Sequence, residues 1–165
     1  EGVDGQWSNV ENVYQRRADL VPNLVATVKG SAAHEQNTLA AVTQARAQAT
    51  QIKVSAADLS DPQKVRAFEQ AQGQLSQSLG KLLAVAEAYP DLKANASFRD
   101  LQAQLEGSEN RITVERRRYN DAVQGYNTKV RSFPTLIVAR AFSFQTKEPF
   151  QATTQGAERA PEVKF

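Results

Sequence analysis

Apolar residues recur three and four positions apart from Trp7 to Val130, the spacing that puts side chains on one face of an α-helix. A first stripe reads Trp7, Val10, Tyr14, Val21, Leu24 and Val28, and a second reads Leu39, Val42, Ala45, Ala49 and Ile52. The third runs Val65, Phe68, Gln72, Leu75, Leu79, Leu82 and Ala86, ending at Tyr89. The fourth and longest joins Phe98, Leu101, Leu105, Ser108, Ile112, Glu115, Tyr119, Ala122, Tyr126 and Val130. No segment pairs a period of two with turn chemistry, so the expected fold class is all-α.

Punctuation sets the boundaries. Ser60 and Gln63 read as a capping box with Pro62 in the first turn of the third helix. Pro90 disfavours helical angles at Tyr89 and ends that helix. Asn95 or Ser97 caps the fourth, and Phe133-Pro134 closes it. Whether 4–52 is one helix or two is settled by length. One rod would run about 70 Å, and a third helix of about 38 Å would return only halfway along it. Trp7, Val10, Leu20 and Leu24 would then lose their partners, at a cost of several kcal/mol on about 25 cal/mol per Å². A break near Gly30, with Ser31–Ala33 as the turn, avoids this and gives an up-and-down four-helix bundle. Pro22 then lies inside the first helix and removes one backbone hydrogen bond. The expected organisation is a helical bundle domain over 1–145 and an extended, loosely held tail over 146–165.

The chain has 165 residues and no cysteine, which rules out disulfides, thiolate nucleophiles and zinc–sulfur sites. Net charge is only +2, but residues 1–110 carry a balance of −3 and residues 111–165 one of +5. In the bundle topology Lys129, Arg131 and Arg140 sit beside the start of the first helix. No run reaches the roughly 18 apolar residues that span a bilayer, and no signal peptide is present. The chain starts at Glu1 rather than Met, and the expectation is that an anchor or signal belongs ahead of it.

Candidate chemistry is sparse. His34 is the single histidine; a zinc helix of the His-Glu-x-x-His kind needs a second at position 38, which is Thr38, and a di-iron bundle needs two Glu-x-x-His pairs. No nucleophile elbow or phosphate-binding glycine loop occurs. Neither catalytic, cofactor-binding nor metal-ligating residues are therefore assigned, no cofactor is expected, and the chain is read as no enzyme. Arg111, Arg116, Arg117 and Arg118 form a basic cluster, but the last three spread over about 200° of helix. Ion pairing with Glu109 and Glu115 fits better than nucleic-acid binding or contact with anionic lipid headgroups.

Some seam positions carry polar side chains, among them Arg17, Gln72 and Glu115. A charge there is costly unless paired. Either Arg17 meets a carboxylate or amide of the fourth helix, with Glu115 and Asn120 as candidates, or it snorkels to solvent. Tyr119-Asn120 and Tyr126-Asn127 repeat at seven, as a heptad seam does. Phe142, Phe144 and Phe150 follow the last helix, and either fold back over the bundle end or meet a lipid interface.

Several of these stretches resemble the LemA family. Tyr14-Gln15-Arg16-Arg17-Ala18-Asp19-Leu20-Val21-Pro22-Asn23-Leu24-Val25 with Thr27-Val28-Lys29-Gly30 looks like its N-terminal signature. Tyr89-Pro90-Asp91-Leu92-Lys93-Ala94-Asn95 with Phe98, Leu101 and Gln102, then Glu109-Asn110-Arg111-Ile112, Tyr119-Asn120, Tyr126-Asn127 and Phe133-Pro134 follow in order. Ser31 departs from the family, which usually shows an aromatic there. The resemblance covers roughly 5–150. It implies a bacterial protein held by one transmembrane helix or a lipid-bearing signal, with a helical domain and no established biochemical activity to transfer. The expected location is membrane-anchored, in the inner membrane or as a lipoprotein, with the side of the membrane open. The expected partner is a membrane or envelope protein. The alternative is a structural role at the membrane surface through anionic lipid. Neither nucleic acid nor a small-molecule substrate is expected.

Overall fold

Each stripe folds as a helix. The computed structural model describes residues 2–132, 140–141 and 145–150. Among these residues the chain is all-helical and contains no strand: α1 spans Gly2–Ser31, α2 Gln36–Gln51, α3 Pro62–Ala86, α4 Pro90–Lys93 and α5 Ala96–Arg131. A single 3-10 turn, Ala56–Ser60, precedes α3. The chain reverses at 32–35, just after the glycine expected to end the first rod. Ala32 N–H donates to Val28 O at 2.7 Å and Glu35 N–H to Ala32 O at 3.0 Å.

The caps follow from side-chain geometry, with one correction. Asp61, not Ser60, caps α3: its Oδ1 accepts from Gln63 N–H at 3.0 Å, with Pro62 in the first helical position. Ser60 closes the 3-10 turn instead, where Ser55 N–H and Oγ both donate to Asp58 Oδ2. Asn95 caps α5 by accepting from Phe98 N–H at 3.1 Å. Pro90 ends the third stripe as expected and also opens α4, a turn of helix whose Leu92 is fully buried. Helix α5 ends at Arg131; Phe133 and Pro134 lie outside the described residues.

Pro22 lies inside α1. Lacking an N–H, it leaves the carbonyl of Ala18 without its helical donor. Arg46 of α2 fills the vacancy, its Nε donating to Ala18 O at 2.8 Å.

Helix α1 packs along α5 and against α2, and α2 packs along α3. Trp7 meets Tyr119 while Arg17 meets Glu109, so α1 and α5 run antiparallel. The core divides in two. One cluster gathers Val21, Leu24 and Val28 with Leu75, Leu79, Leu82 and Leu105. The other gathers Val3, Trp7, Val10 and Tyr14 with Phe68, Ile112, Tyr119, Val123 and Phe150. What separates them is polar.

Candidate functional site

The divide is built on Arg17, which is 1% exposed. It is fixed on α1 three residues beyond Tyr14 and four before Val21, so helix geometry forces it inward. Its Nη1 donates to Glu109 Oε1 of α5 at 2.8 Å and to Ser76 Oγ of α3. Its Nη2 donates to Gln72 O at 2.9 Å and Gln72 Oε1 at 2.8 Å, while the guanidinium lies 5.2 Å from the Tyr14 ring centre. Residues of three helices thus meet in one polar layer. The expected layer is present, but its carboxylate is Glu109 rather than Glu115 or Asn120. Glu109 stands beside the seam residue Ser108, six residues before Glu115, and periodicity alone does not show which turn of α5 faces Arg17.

Glu115 is buried yet pairs along its own helix, with Arg118 at 3.1 Å and Arg111 at 4.0 Å. A second buried carboxylate, Glu69 of α3, takes Arg116 of α5 at 2.9 Å. The arginine cluster therefore acts largely through ion pairs, and Arg116 ties two helices together. Glu69 carried no signal in the sequence, being off the stripe. Burial raises the Tyr14 phenol above its ordinary range, with Arg116 and Arg17 opposing it.

The second feature is at the Trp7 end. Trp7 Nε1 donates to Val54 O at 2.9 Å, and its ring contacts Phe68, Tyr119 and Phe150 at 5.1, 5.4 and 5.9 Å between centres. Phe150 folds back and is buried, whereas Phe142 and Phe144 lie outside the described residues. Residues 147–150 run without helix along α5. Lys147 N–H donates to Asn127 Oδ1 at 2.8 Å, and Asn127 Nδ2 donates back to Lys147 O at 2.9 Å. Phe150 N–H donates to Asn120 Oδ1 at 2.8 Å, with the reverse bond at 3.5 Å. Between them, Glu148 N–H donates to Leu59 O at 2.8 Å and Tyr119 Oη donates to Glu148 O at 3.0 Å. Burial drives the Tyr119 phenol upward, with Glu148 and Asp4 adding to it. The heptad repeat of Tyr-Asn pairs is thus divided: tyrosine toward the core, asparagine toward the returning chain. The part of the tail from 151 onward lies outside the described residues.

At the opposite end His34 sits in the α1–α2 turn, where its Nε2 meets the Tyr89 hydroxyl, which also donates to Glu35 Oε1 at 2.7 Å. Among the described residues no three His, Asp or Glu side chains are grouped to hold a metal. An open groove of about 490 Å³ lies between α1 and α5, lined by Arg16, Asp19, Gln104 and Arg111 among others. Lys129, Arg131 and Arg140 are exposed. No helix among the described residues is long and apolar enough to cross a membrane.

The motifs that carried the resemblance are the ones that build these features: Arg17, Pro22, Asn95, Glu109, Asn120 and Asn127. The LemA family model matches residues 6–165. The chain belongs to the LemA family. Similar proteins include magnetosome protein MamQ 2 of Paramagnetospirillum magneticum, 27% identical over 172 residues, covering 94% of this chain and 63% of that protein. Magnetosome protein MamQ of Magnetospirillum gryphiswaldense is 25% identical over the same shares. Protein LemA of Metamycoplasma hominis is 26% identical over 151 residues, 92% of this chain and 65% of that protein. The chain spans less than two thirds of the length of these relatives.

Proposed function

We propose that the chain is a non-catalytic helical module, an up-and-down four-helix bundle held at a bacterial membrane, that binds another protein of the envelope. The observation that carries this reading is where the buried charges go. Arg17, Glu109, Glu69 and Arg116 each direct charged atoms to another helix, so these four groups fix the relative position of rods. A reacting centre instead needs such groups aimed at a place a substrate can reach. Membership of the LemA family and likeness to the magnetosome protein MamQ support this reading.

A second reading, a structural role through anionic lipid, is favoured by one observation. The exposed cations Lys129 and Arg131 end α5, beside the Val3 and Trp7 start of α1 where Val123 packs. Cations near a surface of anionic lipid contribute about 1 kcal/mol each. Two experiments separate the readings. Cross-linking of the membrane-embedded protein in cells, followed by mass spectrometry, should return one reproducible protein partner. Co-sedimentation with phosphatidylserine vesicles should show no salt-sensitive binding. Salt-sensitive vesicle binding without a reproducible partner would replace the first reading with the second.

A further inference from the structure

The two asparagines of α5 hold a stretch of chain in a manner that does not depend on its side chains. Each side-chain amide has one donor and one acceptor edge, and each here grips both the N–H and the C=O of a single residue. Seven residues of helix rise about 10.5 Å. Three residues of extended chain cover about 9–10 Å, so Asn120 and Asn127 are spaced to grip residues three apart. A left-handed extended chain with three residues per turn shows such residues on the same side, and Pro149 suits that conformation. Of residues 145–150 only Phe150 is buried. Its ring enters a socket made by Trp7, Phe68 and Tyr119, with the Arg116 guanidinium 5.0 Å from its centre. Backbone bonds supply affinity, and the Phe150 anchor, aided by the Lys147 ammonium 5.8 Å from the Tyr126 ring centre, supplies selection, which is how grooves for extended peptides work.

We propose that this groove on α5 is a receptor for an extended, proline-containing segment of a partner protein with an aromatic anchor, and that residues 147–150 occupy it in cis. The proposal deepens the protein-binding reading and rests on it. A tethered segment is present at an effective concentration on the order of millimolar. The same segment from a second copy has no advantage over it, whereas a partner with a better-fitting aromatic or more proline does. The occupant in trans is therefore a different sequence, and the cis segment sets the threshold that it must exceed.

Trp7, the single tryptophan, reports on the socket by fluorescence. The probe is the free octapeptide of residues 145–152, titrated into the full chain and into full-length Phe150→Ala. Saturable binding to Phe150→Ala at tens to hundreds of micromolar is expected, at least tenfold weaker when Asn120→Ala or Asn127→Ala is added, and weaker on the unmodified chain. Absence of saturation on a folded Phe150→Ala chain, or affinity indifferent to both asparagines, overturns the proposal. Should that variant fail to fold, hydrogen exchange on the unmodified chain decides. The Lys147 and Phe150 amides should exchange at least a hundredfold faster than the slowest α5 amides, and exchange only with global unfolding overturns the proposal. A concentration-dependent dimer abolished by Phe150→Ala would assign the groove to a second copy and also overturn it. If the peptide fails while cross-linking in membranes still returns a reproducible partner, the groove is refuted and the protein-binding reading stands.

Discussion

Replacing Arg46 with methionine tests whether a helix broken by proline is repaired from a neighbouring helix. Pro22 has no N–H, and the carbonyl it strands belongs to Ala18, which is 2% exposed. Arg46 Nε donates to that carbonyl at 2.8 Å. Met retains most of the stem and removes the donor, leaving a buried carbonyl unpaired. Such a loss costs about 1–3 kcal/mol, or about 3–8 °C in Tm for a chain of this size. Pro22→Ala returns an N–H at position 22, so the helical bond to Ala18 can form and Arg46 becomes dispensable. In that background Arg46→Met should cost under about 0.5 kcal/mol, the ordinary range for a surface change. Urea unfolding followed by far-ultraviolet circular dichroism gives the four free energies, provided the slopes agree. The cycle should return a coupling of about 1–2 kcal/mol between positions 22 and 46. If Arg46→Met costs the same with and without Pro22, the carbonyl is not what Arg46 serves, and the repair account is wrong.

Three further outcomes are expected. Arg17→Met should destabilise by about 3–5 kcal/mol, because it leaves Glu109 and Gln72 without their cation; adding Glu109→Leu should recover part of that loss, measured in the same urea assay. All four tyrosines sit above their ordinary range, burial being the first cause for Tyr14, Tyr119 and Tyr126 and the Glu35 bond for Tyr89. A raised folded value stabilises below the unfolded value near 10 and is lost as pH rises past it, so tyrosinate absorbance at pH 10 should stay well under half-maximal and then rise together with loss of helical ellipticity. Asp58 is held down at about 2, first by the Lys64 ammonium and then by Ser55. Its contribution is present above the ordinary carboxylate range and lost as pH falls toward 2; carboxyl-carbon NMR should give that midpoint, and Lys64→Ala should raise it.

The helices were legible because their signal is local. Val65, Phe68, Gln72, Leu75, Leu79, Leu82 and Ala86 repeat at helical spacing and are all buried, and the reversal after α1 follows from matching rod lengths. The cap of α3 was misplaced by one residue because Ser60 and Asp61 both carry capping oxygens, and the 3-10 turn that decides between them has no periodicity of its own. Arg17 announced a polar layer through its seam position. Its carboxylate partner was not legible, since choosing among Glu109, Glu115 and Asn120 requires the offset between two helices. Arg46 and Glu69 were missed for the same reason: each serves an atom of another helix, and nothing in its own neighbourhood marks it.

That offset is what the polar layer specifies. Stripes of leucine and valine tolerate sliding, because one turn of about 5.4 Å brings a similar residue into each place. Sliding α5 one turn past α1 would present Leu105 or Ile112 to Arg17 and leave a buried guanidinium without its carboxylate, which costs several kcal/mol. A single arginine bonded to α3 and α5 thus selects one alignment from several of similar apolar burial. The groove at the far end depends on that selection. Phe150 is caught between Trp7 of α1 and Asn120 of α5, so a shift of one turn would part the aromatic socket from the asparagines beside it. The charge buried in the middle of the bundle therefore acts on the proposed groove from a distance: it sets where α1 and α5 stand relative to each other, and a shift of one turn takes the socket and the asparagine clamps out of line.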